Sequence, residues 1–288
     1  MQHLRAFYAR LVCASGAVRD ARVEAAFAAV PREPFAGPPP WFIIGSQWFG
    51  SGPPPYTEVS GDDAAVLYQD ALIALDRERR INIGQPSLHA LFLDAIGAAE
   101  GETVLQVGTG SGYYTALLAH LVGPAGRLHG FEIDAGLAAR ARRNLADRPW
   151  VSVAARSGIA EDLPRADIIY VNAGITQPSW SWLDALNPGG RLLFPLAPTG
   201  GFGAMLLVTK PREGGTAWPA RFVCRAGFIA CQGRQDSEAG RRINAAFESG
   251  NWREVRSLRL SDTADATCWF RGDDWWLSTT AADGSAGR

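Results

Sequence analysis

The stretch VLQVGTGSGYYTALL, residues 104–118, contains the pattern that decides the fold. An apolar run typical of a buried strand leads into Gly108-Thr109-Gly110-Ser111-Gly112, and a helical pattern begins directly after it. Glycines permit a tight turn and the close approach of the backbone to a ligand, and the start of the helix offers unpaired N–H groups. The segment therefore predicts a strand, a ligand-binding turn and a helix in succession.

An acidic residue follows this turn at a spacing typical of nucleoside-binding sites. Glu132 lies 20 residues beyond Gly112, at the end of the next strand-like run. A carboxylate there accepts hydrogen bonds from ribose hydroxyls, although the simpler alternative is a solvated carboxylate at a strand end. A nicotinamide-binding pattern would have a glycine where this sequence has Tyr113, which weakens the case for a dinucleotide.

Strand-like and helical patterns alternate from residue 103 onward. The strands are expected at TVLQVG, RLHGFEI, VSVAA, ADIIYVN and GRLLFPL, with helices near 112–122, 135–147 and 178–187. This alternation predicts an α/β fold with a doubly wound, Rossmann-like and mostly parallel sheet. A short Gly-rich turn before GAMLLVTK, residues 203–210, predicts one antiparallel strand near the C-terminal part.

Both ends of the chain carry additions to this pattern. Residues 1–31 read as two amphipathic helices, the second capped by Asp20, and residues 36–62 form a Pro/Gly-rich segment. The large apolar groups of that segment, which include Trp41, Trp48 and Phe49, indicate a loop packed on the protein, either as a structural wrap or as a lid. Toward the C-terminus the patterns predict a helix over 237–249 and a Trp-rich hairpin over 268–280.

Composition excludes several classes of function. The 288 residues are 47% hydrophobic and carry a net charge of −1, which fits a folded protein and gives no electrostatic case for a nucleic-acid or anionic-membrane partner. The four cysteines lack metal-ligand or disulfide spacing, so no metal site is expected. The sequence shows no signal-peptide pattern and no apolar run of membrane-spanning length, so the expected location is the cytoplasm. The basic residues are almost all arginines, which suggests a bacterial source.

The motifs resemble a known family as a set. VLQVGTGSGYYTA is similar to the first motif of class I S-adenosylmethionine-dependent methyltransferases, and more narrowly to that of the protein-L-isoaspartate O-methyltransferase family. Further stretches that resemble this family are RDARVEAAFAAVPREPF (19–35), Tyr68-Gln69-Asp70, Ile83-Gly84-Gln85-Pro86, ADIIYVNAG (166–174), LNPGGRLLFPL (186–196) and ARFVCRAGF (220–228). The resemblance covers roughly residues 1–232 and implies one methyltransferase domain there, with 233–288 as a C-terminal extension.

The resemblance also implies the residues of the site. S-adenosyl-L-methionine would be held by Gly108, Thr109, Gly110, Ser111, Gly112, Tyr113, Glu132, Ile133, Ser157, Gly158 and His89. The reaction would involve Gly84, Gln85 and Asn172, with Gln85 also beside the cofactor and Asn172 facing its sulfonium. Because a carboxylate acceptor is already ionised at neutral pH, methyl transfer to it needs no general base.

The sequence departs from the family at the expected acceptor site. Gly84 stands where the family has a serine associated with the reacting carboxylate, and Asn82 replaces a threonine. LDRERR, residues 75–80, replaces a glycine-rich run, and its arginines either pair with an acidic substrate or form a solvated charge run. Carboxyl O-methylation of an isoaspartyl-type protein or peptide is the leading hypothesis. The alternatives are a methyltransferase of the same fold acting on a small metabolite or another peptide group, and a cofactor-binding module with little catalysis.

Overall fold

The computed structural model describes residues 1–45, 54–198, 202–229, 231 and 237–282. The chain divides into two compact units. The first unit comprises Met1–Glu102 and Gly108–Ser157, and the second comprises Thr103–Val107 and Gly158–Arg288. The predicted boundary between residues 232 and 233 lies outside the described residues.

The helices and strands follow the expected alternation. The helices are α1 (Gln2–Ser15), α2 (Ala21–Ala29), α3 (Glu33–Ala36), α4 (Pro86–Ile96), α5 (Tyr113–Val122), α6 (Ala135–Asn144), α7 (Trp180–Ala185) and α8 (Ser237–Glu248). The strands are β1 (Phe42–Gly45), β2 (Thr57–Glu58), β3 (Ala71–Asp76), β4 (Ile81–Ile83), β5 (Thr103–Val107), β6 (Arg127–Phe131), β7 (Val151–Ala154), β8 (Ala166–Val171), β9 (Leu186–Leu196), β10 (Phe202–Thr209), β11 (Ala217–Gly227), β12 (Ser257–Arg259), β13 (Cys268–Arg271) and β14 (Trp276–Ser278).

The first unit is built around its helices. The Asp20 side chain accepts a hydrogen bond from Arg22 N at the start of α2, as predicted, and Asp134 accepts one from Leu137 N at the start of α6. Helices α1 and α2 pack on α4 and α5. Strands β6 and β7 are parallel, and Leu128 of β6 lies opposite Val151 of β7. Strand β6 ends at Phe131, so Glu132 follows directly at its C-terminal end.

A small antiparallel sheet corrects the expectation of irregular structure between residues 36 and 62. Its strand order is β2-β1-β3-β4, and Ile43 of β1 pairs with Ile73 of β3. The Pro and Gly residues around it conceal a short β-branched run, Ile43-Ile44, which forms a strand by pairing with β2 on one side and with the distant strand β3 on the other. Trp41 of this segment is buried, whereas Trp48 and Phe49 lie outside the described residues.

The second unit confirms the α/β class and the predicted antiparallel strand. Strand β5 is parallel to β8, and β8 is parallel to β9. Beyond them β10 is antiparallel to β9, and β11, β12, β14 and β13 continue antiparallel in that order. Strands β13 and β14 form the predicted Trp-rich hairpin. Strand β12 lies between this hairpin and β11 and so joins the extension to the sheet.

An aromatic cluster attaches the C-terminal extension to β11. Phe222 of β11 lies 5.4 Å from Phe247 of α8 and 5.3 Å from Trp269 of β13, measured between ring centroids. Trp252, in the short 3₁₀ turn after α8, packs edge-to-face with Phe222 at 6.0 Å between ring centroids. Because aromatic contacts bury large apolar areas, the described part of the extension is an integral part of the second unit.

Candidate active site

The glycine-rich turn has the backbone geometry of a ligand-binding turn. Gly110 has φ +58° and Gly112 has φ +97°, both in the left-handed region that glycine adopts without strain. A Cβ on Gly112 would also press on Leu145 Cδ1 at 3.0 Å. Only glycine therefore fits at the start of α5, where the backbone must turn sharply from strand to helix.

Glu132 is fixed against this turn by two backbone amides. Its Oε2 accepts a hydrogen bond from Gly110 N at 2.7 Å, and its Oε1 accepts one from Asp134 N at 3.0 Å. The carboxylate is buried, yet each oxygen keeps a second lone pair for a ligand hydroxyl. Beside it the apolar side chain of Ile133 is 53% exposed, a surface suited to a purine ring.

Two hydroxyl groups at the start of α5 lack partners among the described residues. Ser111 Oγ and Thr115 Oγ1 are buried and make no hydrogen bond to any described residue. A buried hydroxyl without a partner carries a desolvation cost that a polar ligand relieves. Together with the Glu132 carboxylate and the turn, these hydroxyls offer hydrogen-bond partners to a ligand that carries ribose hydroxyls and further polar groups.

The junction between β4 and α4 lies against the start of α5. Tyr114 donates its OH to the carbonyl of Gly84 at 2.6 Å, and the ring of His89 stacks on the ring of Tyr114 at 3.5 Å with 9° between the planes. Burial, and secondly the charge of Arg32, lowers the pKa of His89 to about 3. The structure thus brings Gly84 and His89 to the glycine turn, with His89 as a neutral imidazole.

Gln85 is held by a neighbouring acidic residue. Its Nε2 donates to Asp70 Oδ2 at 2.9 Å and to Ser87 Oγ at 3.2 Å. Ser87 also donates to Asp70 from its backbone N and from its Oγ. Asp70 therefore fixes the first turn of α4, and with it the side chain of Gln85.

The remaining predicted residues divide between the two units. Ser157 is exposed after β7 in the first unit. In the second unit Asn172 follows β8, and its backbone N donates to Val107 O at the end of β5. The carbonyl of Gly158 accepts a hydrogen bond from Trp182 Nε1 at 2.8 Å. Asn172 therefore stands where two neighbouring parallel strands end, the edge at which ligands bind in sheets of this kind.

The arginines of the LDRERR run have protein partners. Arg79 bridges Asp76 and Asp134, with both N···O distances 2.7 Å. Arg77 lies over the Phe42 ring at 3.7 Å, and Arg80 donates to the carbonyl of Pro54 at 3.0 Å. Their exposed guanidinium groups are thus held by the small sheet and its surroundings.

Sequence reasoning missed two supporting residues. Tyr114 positions both Gly84 and His89. The sequence feature that could have identified it is the pair of tyrosines after the last glycine of the turn. Arg32 is fully buried, donates to the carbonyls of Leu67 and Gln69, and lies 5.3 Å from the Tyr113 ring. The sequence feature that could have identified Arg32 is the resemblance of VPREPF to the family. Without that resemblance, an arginine beside a proline-led turn is expected to be exposed.

The fold and these residues define a class I S-adenosyl-L-methionine-dependent methyltransferase. A solved protein-L-isoaspartate O-methyltransferase aligns over 98% of this chain and 88% of its own, with a TM-score of 0.62 and 20% identity. A structure of the putative protein-L-isoaspartate O-methyltransferase of Plasmodium falciparum in complex with S-adenosyl-L-homocysteine aligns over 78% and 97%, with a TM-score of 0.60 and 17% identity. At these identities the two structures establish the fold.

The family follows from the sequence comparisons. The family model for protein-L-isoaspartate(D-aspartate) O-methyltransferase matches residues 62–227. Protein-L-isoaspartate O-methyltransferase 2 of Anaeromyxobacter sp. (strain Fw109-5) is 33% identical over 73% of this chain and 78% of its own length. The enzyme of Thermotoga maritima is 30% identical over 45% of this chain and 43% of its own length. This chain belongs to the protein-L-isoaspartate(D-aspartate) O-methyltransferase family, and its cofactor is S-adenosyl-L-methionine.

Two further findings concern the described residues alone. In that part of the chain, no helix is long and apolar enough to cross a membrane. The same residues contain no group of three His, Cys, Asp or Glu side chains placed to hold a metal ion.

Proposed function

We propose that this protein transfers a methyl group from S-adenosyl-L-methionine to the side-chain carboxylate of an isoaspartyl residue in a protein or peptide. The observation that carries the proposal is the Glu132 carboxylate, oriented by Gly110 N and Asp134 N beside the glycine turn. This arrangement suits a ribose, and the match of the family model over residues 62–227 supports the isoaspartyl acceptor.

Methyl transfer to a carboxylate requires precise placement of the two reactants and no general base. When bound, the sulfonium of the cofactor supplies an activated methyl group. An acceptor carboxylate is ionised at neutral pH, so no protein group has to remove a proton from it. His89 agrees with this requirement, because a buried imidazole whose pKa is lowered to about 3 is a weak base at neutral pH.

Several of the predicted residues have specific roles in this proposal. Glu132 binds the ribose hydroxyls and Ile133 packs on the adenine, with Ser157 and Gly158 at the edge of the ring. Ser111 offers its buried hydroxyl to the polar part of the cofactor. Gln85 and His89 line the cofactor from α4, and Asn172 faces the sulfonium and the acceptor.

A second acceptor class follows from one specific observation. Residue 84 has no side chain, and the nearest group to the space beside it is the neutral imidazole of His89. A hydroxyl at this position would donate to one oxygen of the acceptor carboxylate, and such a bond is worth about 1–3 kcal/mol to a charged partner. Its absence favours, as the alternative acceptor, a small metabolite or another peptide group that does not need this hydrogen bond.

The experiment combines binding with transfer. Calorimetric titration with S-adenosyl-L-homocysteine measures the cofactor site by itself. Incubation of an isoaspartyl peptide with S-adenosyl-L-methionine should then give one added methyl group by mass spectrometry, released as methanol in alkali as a methyl ester is. Tight cofactor binding without transfer to this peptide would leave the cofactor assignment intact and reject the isoaspartyl acceptor.

We also propose a reducing compartment, such as the cytoplasm, as the place of action. All four cysteines lie in the described part of the chain, and none of them forms a disulfide. Proteins of oxidising compartments commonly use their cysteines as disulfides. Fractionation of the source cells would test this location.

A further inference from the structure

One β-hairpin of the first unit lies next to the proposed cofactor site. We call this hairpin the flap: β3, the turn at residues 77–80, and β4. A Cβ placed on Gly110 would stand 3.6 Å from Leu75 Cδ1, so β3 lies in van der Waals reach of the glycine turn. Leu75 of the flap therefore lies against Gly110, in the backbone turn that is proposed to hold the cofactor.

Arg79 connects the tip of the flap to Asp134, which lies two residues after Glu132. Asp76 Oδ1 accepts from Arg79 N at 3.0 Å, and Asp76 Oδ2 accepts from Arg79 Nε at 2.7 Å. These bonds orient the guanidinium and leave Nη1 to donate to Asp134 Oδ2 at 2.7 Å. The two carboxylates belong to different elements, 58 positions apart along the chain, so the contact fixes the flap tip.

Asp134 is closely coupled to the ribose-binding carboxylate. Its backbone N donates to Glu132 Oε1 at 3.0 Å, and its Oδ1 accepts from Leu137 N at 2.8 Å as the cap of α6. The Leu137 N–H, and secondly the Arg79 guanidinium, lowers the pKa of Asp134 below its usual range. Asp134 thus stays ionised, with one oxygen for the helix and one for the flap.

We propose that the flap closes over the ribose of the bound cofactor, and that the Arg79–Asp134 ion pair is the latch that keeps it closed. The proposal rests on the cofactor site of the proposed function and does not depend on the methyl acceptor. Arg79 acts here as a positioning residue, because it holds the flap and makes no contact with the reacting atoms. Release of the cofactor then requires the latch to open, so the dissociation rate depends on this pair and on salt.

The test measures dissociation of S-adenosyl-L-homocysteine by stopped-flow tryptophan fluorescence. The variants are Arg79→Gln, which removes the charge, and Asp134→Asn, which removes the charge but retains a good helix cap. Both should raise the dissociation rate about fivefold, the upper range for a partly exposed ion pair, and the double variant should raise it no further. Raising the salt from about 0.05 M to about 0.5 M should speed release from the wild type but not from the variants.

Arg77→Gln is the matched control. Arg77 lies in the same turn, but its guanidinium packs on the Phe42 ring and makes no ion pair with Asp134. Its dissociation rate should equal that of the wild type. Equal rates for Arg79→Gln and Arg77→Gln, or additive effects in the double variant, would overturn the latch.

Two further outcomes separate this proposal from the proposed function. If Arg79→Gln lowers the thermal stability of the free protein without changing cofactor release, the ion pair is merely structural and the latch is rejected. If the rates behave as expected but no isoaspartyl peptide is methylated, the latch stands and the acceptor is wrong. Failure of the wild type to bind S-adenosyl-L-homocysteine would reject both.

Discussion

The imidazole of His89 occupies the space in which a Cβ on Gly84 would stand. The atom nearest to that position is His89 Nε2, and the ring is held there by its stacking on Tyr114 at 3.5 Å. Tyr114 in turn donates its OH to the carbonyl of Gly84. A side chain at residue 84 and the observed placement of His89 therefore exclude each other.

We expect Gly84→Ser to lower the free energy of unfolding by about 1–3 kcal/mol, because the new side chain overpacks a buried ring. In a His89→Ala background the same serine should cost almost nothing, since the conflicting ring is gone. Urea denaturation of the four proteins of this cycle measures the coupling. Gly227→Ser is the control, because a Cβ there meets its nearest atoms at 3.4 Å or more. Equal costs of the serine in both backgrounds would contradict the steric pairing.

The stability of the protein should depend on His89 in acid. Its pKa is about 3 when folded, below the ordinary value of 6.5, so the unfolded chain takes up this proton first. The contribution is fully present above about pH 6.5 and is lost as the pH falls toward 3, at up to about 1.4 kcal/mol per pH unit. His89→Phe keeps a ring against Tyr114 but cannot titrate. The difference in unfolding free energy between wild type and variant should shrink from pH 6.5 to pH 4, and a constant difference would refute the assignment.

Glu132→Gln should weaken the cofactor site selectively. The amide offers only one oxygen to Gly110 N and Asp134 N and carries no charge for the ribose hydroxyls. Hydrogen bonds to charged groups contribute about 1.5–3 kcal/mol, so the dissociation constant for S-adenosyl-L-homocysteine should rise about 10- to 100-fold by calorimetry. Exposed Glu161→Gln should bind as the wild type does. An unchanged affinity of Glu132→Gln would remove Glu132 from the site.

The C-terminal extension should contribute directly to stability. Phe247→Ala would empty the space between Phe222 and Trp269, and such truncations of buried aromatic groups cost about 3–5 kcal/mol. Arg241→Ala, on the exposed side of the same helix, is the control. If thermal unfolding of Phe247→Ala matched that of Arg241→Ala, the extension would be a loosely attached appendage.

Sequence patterns predict most of the fold because the responsible signals are local. Asp20 and Asp134 are recognisable as helix caps from one residue type and the periodicity that follows. The apolar runs before Gly108 and Glu132 identify the strands that lead to the site. The predicted hairpin after residue 268 and the antiparallel β10 have short connections, which limit their pairing to a neighbouring strand.

Long-range contacts explain what the sequence does not predict. Strand β1 exists through pairing with β3, which follows it by about thirty residues, and the glycines and prolines between them conceal the pattern. The partner of Arg79 is Asp134, and a charge run alone gives no sign of a partner so far along the chain. Gly84 and His89 are near in sequence, but their steric conflict also depends on a distant residue, because Tyr114 holds the His89 ring in place.

Acceptor selectivity tests the central claim most directly. Two peptides of identical composition, one with an isoaspartyl and one with a normal aspartyl linkage, are offered with S-adenosyl-L-methionine, and kcat/KM is measured for each from the methanol released in alkali. The proposed function predicts turnover of the isoaspartyl peptide and none of its aspartyl isomer, with loss of turnover in Glu132→Gln. Equal or absent methylation of the two peptides by an enzyme that binds S-adenosyl-L-homocysteine would contradict the proposed acceptor.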